Sequence, residues 1–348
     1  IRNRYHAKGP EGKSFNRRTP GFPVFGAGIV LEPLWDSADS WSNWQMAKQA
    51  KVLSVINYKG GVGKTTLTLQ LGLGLNQLKG ARVLLVDLDP QCSLSVSTVE
   101  EHFWIDWIEK KGSIRSVVQT FYQEDPARIE PDWIIEKALN RTWENMPGEL
   151  DGLDLLPSHL DLPDYEMKLV AKKPKWARTM EEFNTERYLL LQKALEPLKS
   201  QYDYIIFDCP PNIYLISRNA IVASDYYLVP TIPDFISCYG IPFILEHIKN
   251  MQEDVRERGA QCNAQLLGIV RNRVRFFGGH MAHEHQEQSD KLQERYGDAL
   301  MDQCINDRMG VAELLGSRKN IFKDETKKNE EVRREFTELV DAVLKRID

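Results

Sequence analysis

The stretch INYKGGVGKTTLTLQ, Ile56 to Gln70, decides how the rest of this chain is read. A glycine-rich turn sits there between a short β-branched run, VLSVIN, and a leucine-rich segment of helical length. Gly60, Gly61 and Gly63 permit backbone conformations closed to other residues, so that amide N–H groups, that of Val62 included, converge on an anion at a helix N-terminus. Lys64 is placed to reach the β- and γ-phosphates of a nucleotide, and the Thr65 hydroxyl to hold Mg2+. The general phosphate-loop pattern fails at its first glycine, where Tyr58 stands, and a second lysine, Lys59, comes next.

Around this loop the periodicity predicts strand, loop, helix, strand: VLSVIN, the glycines, TLTLQLGLGLNQL and ARVLLVDLD. Further buried strands are expected at 153–157, 202–208, 226–232 and 264–272. Helices are expected near 185–199, 214–223, 240–258 and 283–296. Such alternation implies an α/β fold, a mostly parallel twisted sheet flanked by helices, with ligand beyond the carboxyl ends of the strands. Asp87 and Asp89 end the second strand and Asp208 a later one, which points three carboxylates toward that crevice.

The chain has 348 residues, 42% apolar and 27% charged, enough for one large domain or two small ones. Its five cysteines are scattered and form no C-x-x-C pair, which argues against a disulfide framework or a zinc or iron–sulfur site and suits a cytoplasmic compartment. No apolar run is long enough to span a bilayer. The net charge of −5 excludes a uniformly basic protein, so any nucleic-acid face must be local. Residues 1–50 read as an N-terminal extension, a basic irregular arm followed by a segment with Trp35, Trp41 and Trp44. The body is then 51–348, with an elongated stretch around 100–185 that carries five tryptophans and the basic run KLVAKKPKWAR, a candidate partner surface.

KGGVGKTT at 59–66, DLDPQ at 87–91 and YDYIIFDCPP at 202–211 resemble the deviant Walker A, Walker A′ and Walker B motifs of the ParA/MinD family of ATPases, which are P-loop NTPases of the SIMIBI type. Segments at 153–162, 225–241 and 301–322 are similar to ParA-type segments in the same order, which favours the partition branch. The resemblance implies an Mg2+-dependent ATPase with a slow intrinsic rate. Lys59 is then the signature lysine that reaches across an ATP-sandwich homodimer, Lys64 and Thr66 hold phosphate, Asp89 orients the attacking water, and Asp87 and Asp208 support the metal held by Thr65. Asn272, ending a strand, either offers its amide to adenine or caps a turn.

The same resemblance implies DNA binding without sequence preference through Arg273, Arg275, Arg308, Lys319 and Lys323, a nucleoid-associated location and a ParB-like partner that stimulates hydrolysis. Phosphate contacts of that kind weaken steeply with salt. The alternative is a MinD-like positioning ATPase acting on a membrane or protein cargo. That reading needs an amphipathic tail, and Val332, Phe336, Val340, Val343 and Ile347 do share a helix face, but a final helix packed on the sheet has the same stripe. No membrane partner is expected.

Overall fold

A computed structural model describes residues 49–123, 126–141, 150–307, 320–324, 326–327 and 329–347. All of them belong to the unit Ala47–Asp348. The expected extension, its last two residues excepted, therefore lies outside the described residues, as do Arg308 and Lys319.

The first βαβ unit is β1 (Lys51–Val55), α1 (Lys64–Lys79) and β2 (Val83–Asp87). Short helices α2 (Ser93–Thr98), α3 (Glu101–Lys110) and α4 (Ile114–Gln123) lead to β3 (Leu153–Leu156), α5 (Leu162–Ala171), α6 (Met180–Leu195) and β4 (Tyr204–Asp208). Then come α7 (Leu215–Ala223), β5 (Tyr226–Thr231), α8 (Phe235–Glu257), β6 (Gln265–Val274) and a two-residue hairpin, β7 (Phe276–Phe277) with β8 (His280–Met281). The chain ends with α9 (His283–Tyr296), β9 (Leu300–Asn306) and α10 (Glu330–Ile347). Seven strands form one sheet in the order β3-β2-β4-β1-β5-β6-β9, and every pairing in it is parallel.

Buried apolar clusters lie on both faces of this sheet. One gathers α4, α6, α7 and α8, and the other gathers α1, α3 and α10. Parallel strands covered on both faces run nearly continuously apolar, and β2 and β3 are buried at every position, Asp87 and Asp154 included. Helix α1 is held so closely that two of its glycines leave little room for a side chain. A Cβ at Gly72 would stand 2.6 Å from Leu85, and one at Gly74 would stand 2.6 Å from Val340 and 2.8 Å from Phe322. The stripe of α10 (Val332, Phe336, Leu339, Val340, Val343) is buried against α1 and β9, so a membrane-binding face is not free there.

The 100–185 stretch is built into the body. It supplies β3, the edge strand, and three of its tryptophans donate their indole N–H into the fold: Trp104 to the Ser158 carbonyl (3.1 Å), Trp107 to Trp133 (3.2 Å) and Trp176 to Phe121 (2.5 Å). Trp104 is buried and Trp107 and Trp176 half-buried, each with its one donor satisfied by the fold.

Candidate functional site

The site forms where β1, β2 and β4 end. In the parallel register Val55 pairs with Asp208 and Asp87 with Asp208, so the phosphate loop and both strand-end carboxylates open on one crevice. Gly61 (φ 75°) and Gly63 (φ 86°) hold the loop in the left-handed region. At Gly63 a side chain is doubly barred, because its Cβ would stand 2.1 Å from Asn272 Nδ2. Helix α1 begins at Lys64 with no side-chain cap, which leaves its first amides to whatever the loop surrounds.

Lys64 is buried, and its ammonium donates to the Lys59 carbonyl at 3.3 Å. Burial pushes its pKa down, while Asp208 and Asp89 work to raise it. The Thr65 hydroxyl donates to Asp208 Oδ2 at 2.7 Å, and Asp208 Oδ1 is buried with no hydrogen-bond partner. Burial first, then the neighbouring Asp87, lift the Asp208 carboxyl well above the usual carboxylate range. A buried carboxylate oxygen with a vacant lone pair beside a threonine hydroxyl needs a cation or a proton. Among the described residues no three His, Cys, Asp or Glu side chains converge as a protein-only metal cage. The donors present suit a hard cation such as Mg2+ that takes its remaining ligands from phosphate and water. Thr66, beside Thr65 on the first turn of α1, is half-buried.

Asp87 is engaged differently. Its Oδ1 accepts the Asp89 amide (3.1 Å) and its Oδ2 accepts both the amide (2.8 Å) and the hydroxyl (2.7 Å) of Ser95. Burial raises its pKa to about 7 in spite of the Ser95 bonds. Asp87 thus ties the 88–92 turn to α2. Asp89 is nearly buried, with Oδ1 accepting the Gln91 amide at 2.9 Å, and the turn closes at Cys92, whose φ of 56° is uncommon for a non-glycine residue.

Lys59 is not loose. Its ammonium meets Asp234 Oδ1 and Oδ2 at 3.2 and 2.9 Å and Ser237 Oγ at 2.8 Å, at the N-terminus of α8. Asp234 also caps that helix by accepting the Ser237 amide at 2.8 Å. Burial works against the Asp234 charge, but the bonds from Ser237 and Lys59 outweigh it and hold the carboxyl below its ordinary range. The Lys59 side chain is 34% exposed, at the lip of the loop. Sequence reasoning found Lys59 but missed Asp234 and Ser237, whose one signal was an Asp-x-x-Ser at a helix start.

Asn272 is placed under the loop. Its Nδ2 donates to the Val62 carbonyl at 2.7 Å and its Oδ1 accepts the Arg273 amide at 3.0 Å, so both ends of the amide are occupied in this arrangement. Arg273, with φ 54°, donates Nη1 to the Gly61 carbonyl (3.0 Å) and Nε to Asp307 (3.1 Å). Arg275 faces the same Asp307 at 3.6 Å. Arg273 and Arg275 therefore share one counter-charge, and the Arg273 guanidinium links the phosphate loop to Asp307 at the end of β9. Lys323 follows a turn in which it donates its amide to the Asn320 carbonyl.

Comparison with known proteins agrees with this geometry. A family model described as an AAA domain matches residues 50–259. The chain is 31% identical over 203 residues to the sporulation initiation inhibitor protein Soj of Bacillus subtilis, covering 58% of this chain and 66% of that one. It is 26% identical over 269 residues to the chromosome partitioning protein ParA of Caulobacter vibrioides, covering 77% and 84%. The Cyanothece McdA–ATP complex superposes with a TM-score of 0.64 at 21% identity, covering 85% of this chain and 97% of that one, and so shares its fold. With a phosphate loop headed by Lys59, carboxylates at two strand ends and an all-parallel sheet, the chain belongs to the AAA-domain family as a ParA-type P-loop ATPase.

Proposed function

We propose that this protein binds ATP with Mg2+, dimerises around it, and hydrolyses it slowly to time the release of a bound DNA or cargo. The observation that carries the reading is Lys59, an ammonium at the exposed lip of a phosphate loop that already has its own lysine, Lys64. One lysine suffices to neutralise phosphate from within the subunit. A second at the lip adds charge to the phosphates of a facing copy, so that association and hydrolysis become coupled in the manner of an arginine finger.

In this reading the amides of residues 60–64 bind the phosphate chain and Thr66 adds a contact. Thr65 and Asp208 would hold Mg2+ with Asp87 in support, the ion would supply positive charge to the phosphates, and Asp87 also keeps the 88–92 turn in position. Asp89 orients the attacking water. Asn272 braces the loop, and an adenine contact would have to replace its bond to Val62. Arg273, Arg275, Arg308, Lys319 and Lys323 form the DNA face, and a ParB-like protein stimulates hydrolysis. The likeness to the chromosome partitioning protein ParA of Caulobacter vibrioides supports this reading.

The test is Lys59→Ala in the full chain. Analytical ultracentrifugation with a non-hydrolysable ATP analogue should show loss of the nucleotide-dependent dimer, while analogue binding to the monomer survives within about tenfold because Lys64 and the loop are intact. A dimer that forms as in the wild type would reject the sandwich arrangement.

A further inference from the structure

An open cleft of about 600 Å3 lies between α4 and the segment that follows α5. Its wall holds Tyr122, Tyr165, Lys168, Lys172, Lys173 and Lys175, and it shares no residue with the phosphate loop or with Arg273 and Arg275. The backbone carrying these lysines is fixed. Pro174 and Ala177 are buried, Trp176 sets its indole edge-on to Phe121 (5.2 Å, 87°) while donating to the Phe121 carbonyl, and the Lys173 ammonium donates to the Ala177 carbonyl. Lys168, Lys172 and Lys175 are exposed. Lys168 lies 4.0 Å above the Tyr165 ring, whose hydroxyl accepts from Gln119 at 2.8 Å.

Among the described residues no carboxylate pairs with any of these four lysines. Glu124 and Asp125, next to the cleft in sequence, are outside the described residues. The Tyr122 hydroxyl is buried with no hydrogen-bond partner, and its pKa, raised to about 12 by burial, keeps it a donor. Among the described residues the cleft lining carries four lysines and no carboxylate, a local surplus of positive charge on an anchored scaffold in a chain of net charge −5. Lys168 lies in the last turn of the helix and Lys172 at its C-cap, where the backbone turns extended, and Lys175 continues the row along the cleft. Charges laid out in a row along an open cleft suit a chain of phosphates better than one converging anion, because each lysine is an independent point-charge donor.

We propose that this cleft is a second nucleic-acid contact, which takes the phosphate backbone of duplex DNA without reading bases and without needing ATP. It goes beyond the partition reading, since it neither uses the dimer nor the basic edge of β6. The site would keep a monomer on DNA after hydrolysis has released the dimer contacts, converting full dissociation into a weaker hold.

The experiment is fluorescence anisotropy of a random-sequence duplex with full-length protein in the absence of nucleotide, over a salt series from low to physiological. The slope of log affinity against log salt should fall by about one for each lysine removed in Lys168→Gln/Lys172→Gln/Lys175→Gln. Melting temperature should not change, because all three side chains are exposed. Unchanged slope and affinity in the triple variant would overturn the proposal. So would a cleft that binds inorganic tripolyphosphate or anionic phosphatidylserine vesicles but not the duplex. Arg275→Gln separates the two readings: if it abolishes ATP-dependent binding and spares nucleotide-free binding, both stand. If the triple variant alone loses nucleotide-free binding while Lys59→Ala still dimerises, the cleft stands and the sandwich falls.

Discussion

At the residue scale, the site holds unfavourable electrostatics in store. Asp208 sits in parallel register with Asp87, both are fully buried, and one oxygen of Asp208 is unpaired. A carboxyl whose folded pKa is raised binds its proton more tightly in the native state, so ionising it costs stability, and that cost grows as pH rises from the unfolded value near 4 toward the folded one. With Asp87 lifted to about 7, the window runs from roughly pH 4 to 7. Asp208→Asn removes one of the two charges and keeps the acceptor for Thr65. The nucleotide-free variant should melt higher at pH 7, by about 2–4 °C for each kcal/mol relieved, with an advantage that shrinks as pH falls to 5. Thermal denaturation across that range reads it, and ATP turnover should be lost in the same variant. A variant that melts lower at pH 7 would mean the charge is already compensated. The sequence showed that these aspartates end strands, because strand ends are readable from apolar runs. The Ser95 bonds to Asp87 depend on how the 88–92 turn closes at Cys92, which no local pattern encodes.

At the scale of elements, the strands of the central sheet were legible because fully buried parallel strands are continuous apolar runs. Strand β9 was not, since LMDQCIN mixes Asp302 and Gln303 into a strand at the sheet edge. The glycines of LGLGL in α1 were legible as helix but not as contact. Gly74 lets α1 approach α10, and an alanine there sets two effects against each other. Helix propensity gains up to about 1 kcal/mol, while a Cβ 2.6 Å from Val340 and 2.8 Å from Phe322 forces repacking that costs about 1–3 kcal/mol. Overpacking should win, because Val340 is fully buried and its branched side chain has no room to turn aside, whereas Phe322 is only half-buried. Gly74→Ala is expected to lower the melting temperature by a few degrees without changing analogue affinity, as the loop lies at the other end of the layer. A rise in melting temperature would show that α10 yields freely, and that the close approach is incidental.

At the scale of the whole molecule, the second lysine has an intramolecular partner that the sandwich reading requires it to leave. Lys59 is bound by Asp234 and Ser237 of its own subunit, so reaching a facing copy means giving up that ion pair. The pair is partly exposed, and such pairs are worth about 0.5–1 kcal/mol after screening. In the sandwich reading two protomers would each release one, which would restrain dimerisation by about 1–2 kcal/mol, a factor of roughly 5–30 in the dimer constant. The restraint is useful in a timed ATPase because it keeps subunits apart until phosphate offers the lysine something better. Asp234 also caps α8, so alanine would confuse two losses, whereas Asp234→Ser keeps a good cap and removes the charge. With a non-hydrolysable ATP analogue, Asp234→Ser should dimerise at a protein concentration lower by that factor, and without nucleotide it should remain monomeric. Sedimentation over a dilution series measures both. Equal or weaker dimerisation would show that Asp234 serves the dimer itself, so that Lys59 is held ready by its partner instead of restrained by it.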